Sequence, residues 1–134
     1  MAFEITETER EGIVILSMKG RLTMGESNSV REKVNEVLAR GKTNIIFDLA
    51  QVDYIDSTGL GSMVICFTTI KKAGGALKLA NLNKRNIELL LLTKLSTSFE
   101  IFGDLQDAVN SSFPDRGIKH FDILSFVQEH QKDQ

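Results

Sequence analysis

From residue 44 to residue 81 the hydrophobic pattern changes period twice, and few folds accommodate that change. Asn44-Ile45-Ile46-Phe47-Asp48-Leu49 carries three apolar residues in a row, the mark of a strand covered on both faces. Leu60, Met63, Val64, Phe67 and Ile70 then recur at helical spacing and make one stripe of a helix over about residues 57–73. Gly74-Gly75 closes that helix, with Lys71 and Lys72 near its negative dipole end. Residues 76–81 alternate again as a strand. Two strands joined through a helix run parallel, because the crossover returns the chain to the same end of the sheet.

The flanking segments extend this unit. Residues 3–8 alternate, Arg10-Glu11-Gly12 reads as a turn, and residues 13–19, stopping at Gly20, make the second strand of a hairpin. Gly20 to Gly25 reads as a turn. Ser27 or Asn28 then suits the N-cap of a helix with Val30, Val34, Val37 and Leu38 inward, ended by Gly41. Ala50 to Ile55 reads as a connection. Beyond residue 81 come a short helix over 84–93 with Ile87, Leu90 and Leu91 inward, a last strand over 99–102, and a helix over 105–112 capped by Asp104. Pro114 and Gly117 break the chain, and Phe121 to Gln131 reads as an appended helix capped by Asp122. The order ββαβαβαβα predicts an α/β fold: a small mixed, mostly parallel sheet opened by an N-terminal hairpin, with helices packed on it. Residues 1–113 form the expected domain and residues 114–134 a C-terminal helical extension.

Ser57 stands where this scaffold hands a strand over to a helix. Backbone N–H groups there lack intrahelical partners, and added negative charge is tolerated. Ser57 could equally serve as a plain N-cap, a role that Asp56 also fits. Thr58 is a second hydroxyl. Gly59 and Gly61 leave little side-chain bulk around the site, and Leu60 opens the apolar stripe. The glycines do not make a phosphate-cradling P-loop, since no Lys follows them in the required pattern. Nor is Ser57 set in the G-x-S-x-G frame of a nucleophile, and both histidines, His120 and His130, fall in the tail. No His, Cys and carboxylate cluster has metal-ligand spacing, so neither a metal nor a cofactor is expected. Cys66, mid-helix, suits packing rather than reactivity. Asp48, at the end of a buried strand, suits a turn-stabilising carboxylate, with a hydrogen bond to the loop that carries Ser57 as the alternative. Lys84 and Arg85 suit a solvated helix start, with a partner contact as the alternative.

The chain has 134 residues, 25% of them charged and 42% hydrophobic, with a net charge of −2. That is an ordinary globular composition, without the concentrated positive surface of a nucleic-acid binder or the polybasic anchor of a membrane-bound one. The apolar run at 89–92 is far short of a membrane span. One cysteine makes no internal disulfide, and no basic-then-apolar leader opens the sequence, so the expected location is the cytoplasm.

With the strand–Asp56-Ser57-Thr58-Gly59-Leu60-Gly61–helix unit in place, the chain resembles the STAS family, and within it the bacterial anti-sigma factor antagonists. The resemblance is carried by Gly20-Arg21-Leu22, Ile45-Ile46-Phe47-Asp48-Leu49, Val52-Asp53-Tyr54-Ile55 running into that unit, Gly74-Gly75 before Leu77-Lys78-Leu79, and Thr93-Lys94-Leu95 leading to Phe99-Glu100-Ile101-Phe102. It spans roughly residues 3–112. It implies that Ser57 is the serine phosphorylated by a partner that is both anti-sigma factor and serine kinase. It implies that the unmodified form binds that partner, that the phosphorylated form does not, and that a serine phosphatase resets the switch. Asp56, Thr58, Gly59, Leu60, Gly61 and Thr23 are then the switch and partner-contact positions. Many members carry an acid where this chain has Thr23, so a polar contact near Ser57 is expected to differ. The resemblance also covers STAS subunits that dock on a transport or signalling complex. A small nucleotide- or anion-binding sensor using the same helix N-terminus is the alternative from another class. The tail has three roles open to it: lying on the domain, pairing two subunits as a homodimer, or contacting a partner of its own.

Overall fold

The computed structural model of the protein describes residues 3–119 and 121–132, so His120 lies outside the described residues. The expected hairpin is formed by β1 (Glu4–Arg10) and β2 (Ile13–Leu22), paired antiparallel from Glu4↔Lys19 to Arg10↔Ile13. Its two-residue loop, Glu11 (φ 55°) and Gly12 (φ 83°), has both central residues at positive φ, the backbone twist that suits a tight hairpin. Then follow α1 (Met24–Ala39), β3 (Asn44–Ile55), α2 (Ser57–Lys72), β4 (Ala76–Ala80), α3 (Lys84–Leu92), a 3-10 turn (Leu95–Thr97), β5 (Glu100–Phe102), α4 (Leu105–Asn110) and α5 (Ile123–Lys132).

The five strands lie in the order β1-β2-β3-β4-β5, and every pair after the hairpin is parallel. Each crossover steps the same way, and right-handed crossovers place α1, α2 and α3 on one face. The main core lies there: Leu16, Phe47 and Leu79 of the sheet meet Val34 of α1, Met63 of α2 and Ile87 of α3, all buried. The opposite face holds a smaller cluster, in which Ile15, Ile46 and Phe102 meet Ala108 and Val109 of α4. Ile45 and Phe47 thus face one way and Ile46 the other, as their consecutive placement predicts. Lys78, on the α4 side, is buried and donates from Nζ to Ser112 Oγ at 3.0 Å. Burial pulls its amine below the ordinary lysine range, with Glu100 opposing.

Three boundaries differ from the sequence reading. The strand β2 continues past Gly20 to Leu22, and β3 does not stop at Leu49 but stays extended through Ile55, pairing as far as Leu22↔Ile55. Register shifts between Ser17 and Lys19 and between Gly20 and Arg21 break the alternation that would have revealed the extra length. The helix α1 starts at Met24 with Thr23 as its cap, not at Ser27 or Asn28. The Glu26 carboxylate reaches back to the Thr23 N–H (3.3 Å) and accepts from its hydroxyl (2.6 Å). Ser27, one turn in, donates its hydroxyl to the Thr23 carbonyl at 3.0 Å.

The helix ends follow the glycines. Gly41 (φ 82°) and Gly74 (φ 85°) both close Schellman turns, with Lys42 N–H on the Val37 carbonyl (3.3 Å) and Gly75 N–H on the Ile70 carbonyl (3.0 Å). The helix α3 is followed by a non-glycine at positive φ, Lys94 (62°), whose N–H donates to the Leu91 carbonyl at 3.1 Å. The tail lies on its own domain: α5 packs beside α3, with Ile123, Phe126 and Val127 against the main core and the Phe121 ring 5.3 Å from that of Phe126. Leu124 is left 70% exposed.

One close approach fixes where α2 begins. Asp56 N–H donates to the Leu22 carbonyl at 3.2 Å, and a Cβ on Gly59 would stand 2.2 Å from that same oxygen. Gly59→Ala therefore forces the two backbones apart, and the expected loss is about 3 kcal/mol in urea unfolding. A Cβ on Gly61 meets nothing within 4 Å, and Gly61→Ala is expected to gain about 0.5 kcal/mol from helix propensity. Lys94→Gly removes a side chain from the left-handed region and is expected to gain about 0.5–1 kcal/mol by the same measurement.

Candidate functional site

Because β2 and β3 are parallel neighbours, they deliver α1 and α2 side by side at one end of the sheet. Asp56 is extended (φ −92°, ψ −179°) and its Oδ1 accepts the Gly59 N–H at 2.8 Å, so Asp56 is the N-cap. Ser57 is therefore the first residue of the helix and not its cap. Its side chain is exposed, and its hydroxyl has no hydrogen-bond partner among the described residues. Gly61 and Ile65 follow at successive turns of the same helix face, and both are exposed. Thr58 is exposed on the adjoining face. Gly59 and Leu60 are buried beneath the surface, where they hold the turn.

Thr23 stands at the neighbouring helix start. The carboxylate that the resemblance leads one to expect there comes from Glu26, within hydrogen-bond distance of Thr23. Ser62, buried in α2, donates to the Ser27 carbonyl of α1 at 3.0 Å and locks the two first turns together.

The other wall of the site comes from α3. Asn83 caps α3 by accepting the Asn86 N–H at 2.8 Å and donates its amide to the Val52 (3.3 Å) and Asp53 (3.2 Å) carbonyls of β3. Asn86, buried, donates to the Val52 carbonyl at 3.1 Å. The pair clamps the start of α3 to β3 just ahead of Tyr54. Arg85, between them, is held with its guanidinium 4.2 Å from the centre of the Tyr54 ring, and Arg21 of β2 lies 5.1 Å from the same ring. Ser57, Asp56, Tyr54, Arg85, Glu88 and Leu92 border a cleft of about 270 Å³, with Leu92 82% exposed at its rim. Arg85 is exposed at the start of α3, as expected, and its guanidinium rests on the Tyr54 ring besides. The sequence leaves a partner contact open to Arg85, whereas Asn83, Asn86 and Glu26 do not stand out there as functional positions. Thr23-x-x-Glu26 is a capping-box pattern that could have found Glu26. The Arg85–Tyr54 contact joins elements distant in sequence and leaves no local signal.

The remaining candidates are structural. Burial pushes the Cys66 thiol up to about 11, with Arg31 opposing, which leaves it protonated and unreactive at neutral pH. Asp48 sits in mid-strand, where its carboxylate accepts from Ala50 N–H (3.2 Å) and the Asn81 amide (3.0 Å). No group of His, Cys, Asp and Glu placed to hold a metal occurs among the described residues. Among the same residues no helix is long and apolar enough to cross a membrane.

Comparison with known proteins matches this architecture. The chain is 33% identical over 101 residues to the anti-sigma-B factor antagonist of Bacillus subtilis, covering 75% of this chain and 92% of that one. It is 28% identical over 110 residues to the anti-sigma-F factor antagonist RsfB of Mycobacterium tuberculosis, covering 78% and 85%. The crystal structure of an anti-sigma factor antagonist from Mycobacterium paratuberculosis superposes with a TM-score of 0.74 at 19% identity, over 82% of this chain and 93% of that one, and shares its fold. The STAS domain model matches residues 4–108, from β1 into α4, and on this match the chain belongs to the STAS domain family.

Proposed function

We propose that the protein is an anti-sigma factor antagonist, a binding protein rather than an enzyme, whose partner is an anti-sigma factor with serine-kinase activity and whose switch is Ser57. The names of its relatives support the role. The observation that carries the choice of Ser57 is its exposed, unpartnered hydroxyl at the first position of α2, with the cap already supplied by Asp56. The kinase transfers the γ-phosphoryl group of ATP to Ser57 Oγ; the hydroxyl proton leaves to a base of the kinase, and ADP departs. A serine phosphatase returns the hydroxyl by hydrolysis.

The chemistry of the switch is local. A phosphoserine brings about −1.5 to −2 charges and three strong acceptor oxygens. At the first turn of α2 these meet free N–H groups and the positive end of the helix dipole, so the fold tolerates them. A partner surface that buries the neutral hydroxyl would instead have to bury a charge. An unpaired buried charge costs on the order of 3–5 kcal/mol, enough to abolish a micromolar complex. Asp56 adds like-charge repulsion toward any acidic partner. Gly61, for which the fold has no steric need, keeps the surface one turn from Ser57 open to the kinase. Thr58, Gly59, Leu60 and Thr23 shape the same surface or the turn beneath it.

Residues 1–113 serve as the family domain and 114–134 as an extension to it, acting in the cytoplasm. The apolar residues Ile123, Phe126 and Val127 of α5 are spent on the chain's own core, which leaves Leu124 as the exposed apolar residue a homodimer would use among the described side chains of that helix.

Incubation with ATP and the native serine kinase is expected to place one phosphate on Ser57, located by mass spectrometry, with loss of the kinase complex. Absence of phosphate there, together with saturable nucleotide binding by the chain alone, would favour an anion- or nucleotide-sensing domain instead. Ser57→Asp is expected to weaken kinase binding at least tenfold in calorimetry, about 1.4 kcal/mol. Gly61→Leu is expected to keep the parent's unfolding midpoint within about 1 kcal/mol while slowing phosphorylation. Equal rates for Gly61→Leu and parent would remove the open-surface argument.

A further inference from the structure

Resting on the reading of Ser57 as a phosphorylation site, we propose that Arg85 is the residue that receives the phosphate. When Ser57 is modified, the Arg85 guanidinium leaves the Tyr54 ring and closes on the phosphoserine oxygens. Phosphorylation then rearranges the α3 wall of the cleft as well as charging the start of α2.

Four observations converge on Arg85. It borders the same cleft as Ser57, whereas Arg21, on the same tyrosine, does not line that cleft. Its charge has no carboxylate partner among the described residues; it rests only on an aromatic face. Glu88, the acid one turn along α3, is engaged with Lys84 at 3.8 Å. The backbone on either side of Arg85 is fixed to β3 through Asn83 and Asn86, so the guanidinium is presented and only its flexible stem has to move.

The charges around the site favour the move. Asp56 at the cap, Glu88 in the cleft and Glu26 at the start of α1 are acids; Arg85 and Arg21 are the facing cations. A phosphate dianion added beside Asp56 needs a counter-charge. The N–H groups of Ser57 and Thr58 supply dipoles, since Gly59 N–H is already taken by Asp56. Arg85 supplies a full charge and a planar fork that fits two phosphate oxygens at once. A ring quadrupole competes poorly with such an acceptor. Once Arg85 has moved, one contact on Tyr54 is lost and the cation beside the exposed Leu92 is gone, so a partner resting on Tyr54, Arg85 and Leu92 meets an altered surface.

The sequence provides its own reporter. Tyr54 is its only tyrosine, and there is no tryptophan, so intrinsic fluorescence reads the state of this ring alone. Phosphoserine installed at position 57 during translation supplies the modified protein without any kinase. In that protein the second phosphate pKa, followed by ³¹P NMR, is expected to rise by about half a unit or more in Arg85→Ala, partway in Arg85→Lys, and little in Arg21→Ala. Tyr54 emission is expected to change between the serine and phosphoserine forms of the parent and to stay unchanged between those of Arg85→Ala. Circular dichroism checks that each variant is folded, and Arg85→Lys keeps the test valid should the alanine variant unfold. An unaltered phosphate pKa in Arg85→Ala, or an equal shift in Arg21→Ala, would overturn the assignment. That result leaves the Ser57 reading intact, whereas failure of the native kinase to modify Ser57 removes that reading without touching this measurement.

Discussion

The carbonyl of Leu22 is shared between a hydrogen bond from Asp56 N–H and the bare α-carbon of Gly59, and the site exists because of that contact. It brings the end of β2 against the first turn of α2 at a separation no side chain permits. Asp56 is thereby set at the cap, Ser57 at the first helical position and Leu60 into the core. The Ser62 hydroxyl on the Ser27 carbonyl repeats the contact one turn further on, so both helix starts move as one body. The backbone that carries the Ser57 hydroxyl is thereby fixed, while the hydroxyl itself stays exposed.

On the proposed reading of Ser57, that fixed backbone explains how one serine could act as a switch in a domain, a kind of structure whose stability is typically about 5–15 kcal/mol. A phosphate at the first helical residue meets N–H groups that the helix cannot satisfy itself, so its effect on folding is small. Its effect on a dry interface is large, because there it has to be desolvated. Two terms of the same electrostatic origin thus have very different sizes in the free chain and in a complex. Burial of Gly59 and Leu60 beneath Ser57 separates the exposed hydroxyl from the core. The polar clamp of Asn83 and Asn86 on the Val52 and Asp53 carbonyls plays the matching part for α3, fixing the opposite wall to the same strand.

Much of this was legible in the sequence where one hydrophobic period persists through an element. The stripe Leu60, Met63, Val64, Phe67 and Ile70 is recovered as the inner face of α2, and Ile45-Ile46-Phe47 as a strand between two layers. Gly41 and Gly74 end their helices as expected. Legibility failed where the backbone departs from a regular period. Bulges between β2 and β3 hid the extension of β3 to Ile55, and the glycines at 20 and 25 made the end of β2 and the start of α1 look like a turn. Asp56 and Ser57 are equally good caps on paper, and only the 2.8 Å bond to Gly59 N–H separates them. The contact of Arg85 with Tyr54 was invisible because only a folded β3 brings that ring to the start of α3.

The part of the chain beyond the family match bears on the same wall. The domain model ends at residue 108, yet α5 returns to pack beside α3, with Phe126 and Val127 against the core and Phe121 over Gly103. The helix that carries Arg85, Glu88 and Leu92 is thus bound to β3 through its first turn and backed by the tail helix. The Ser57 end of α2 follows from the Leu22–Gly59 contact, which lies wholly within the matched domain. The α3 wall depends also on residues outside it. On the proposed reading of Ser57, a protein that keeps the serine while varying what stands behind α3 would preserve the chemistry at Ser57 and still alter the α3 wall of the cleft, Arg85, Glu88 and Leu92, that a partner would meet.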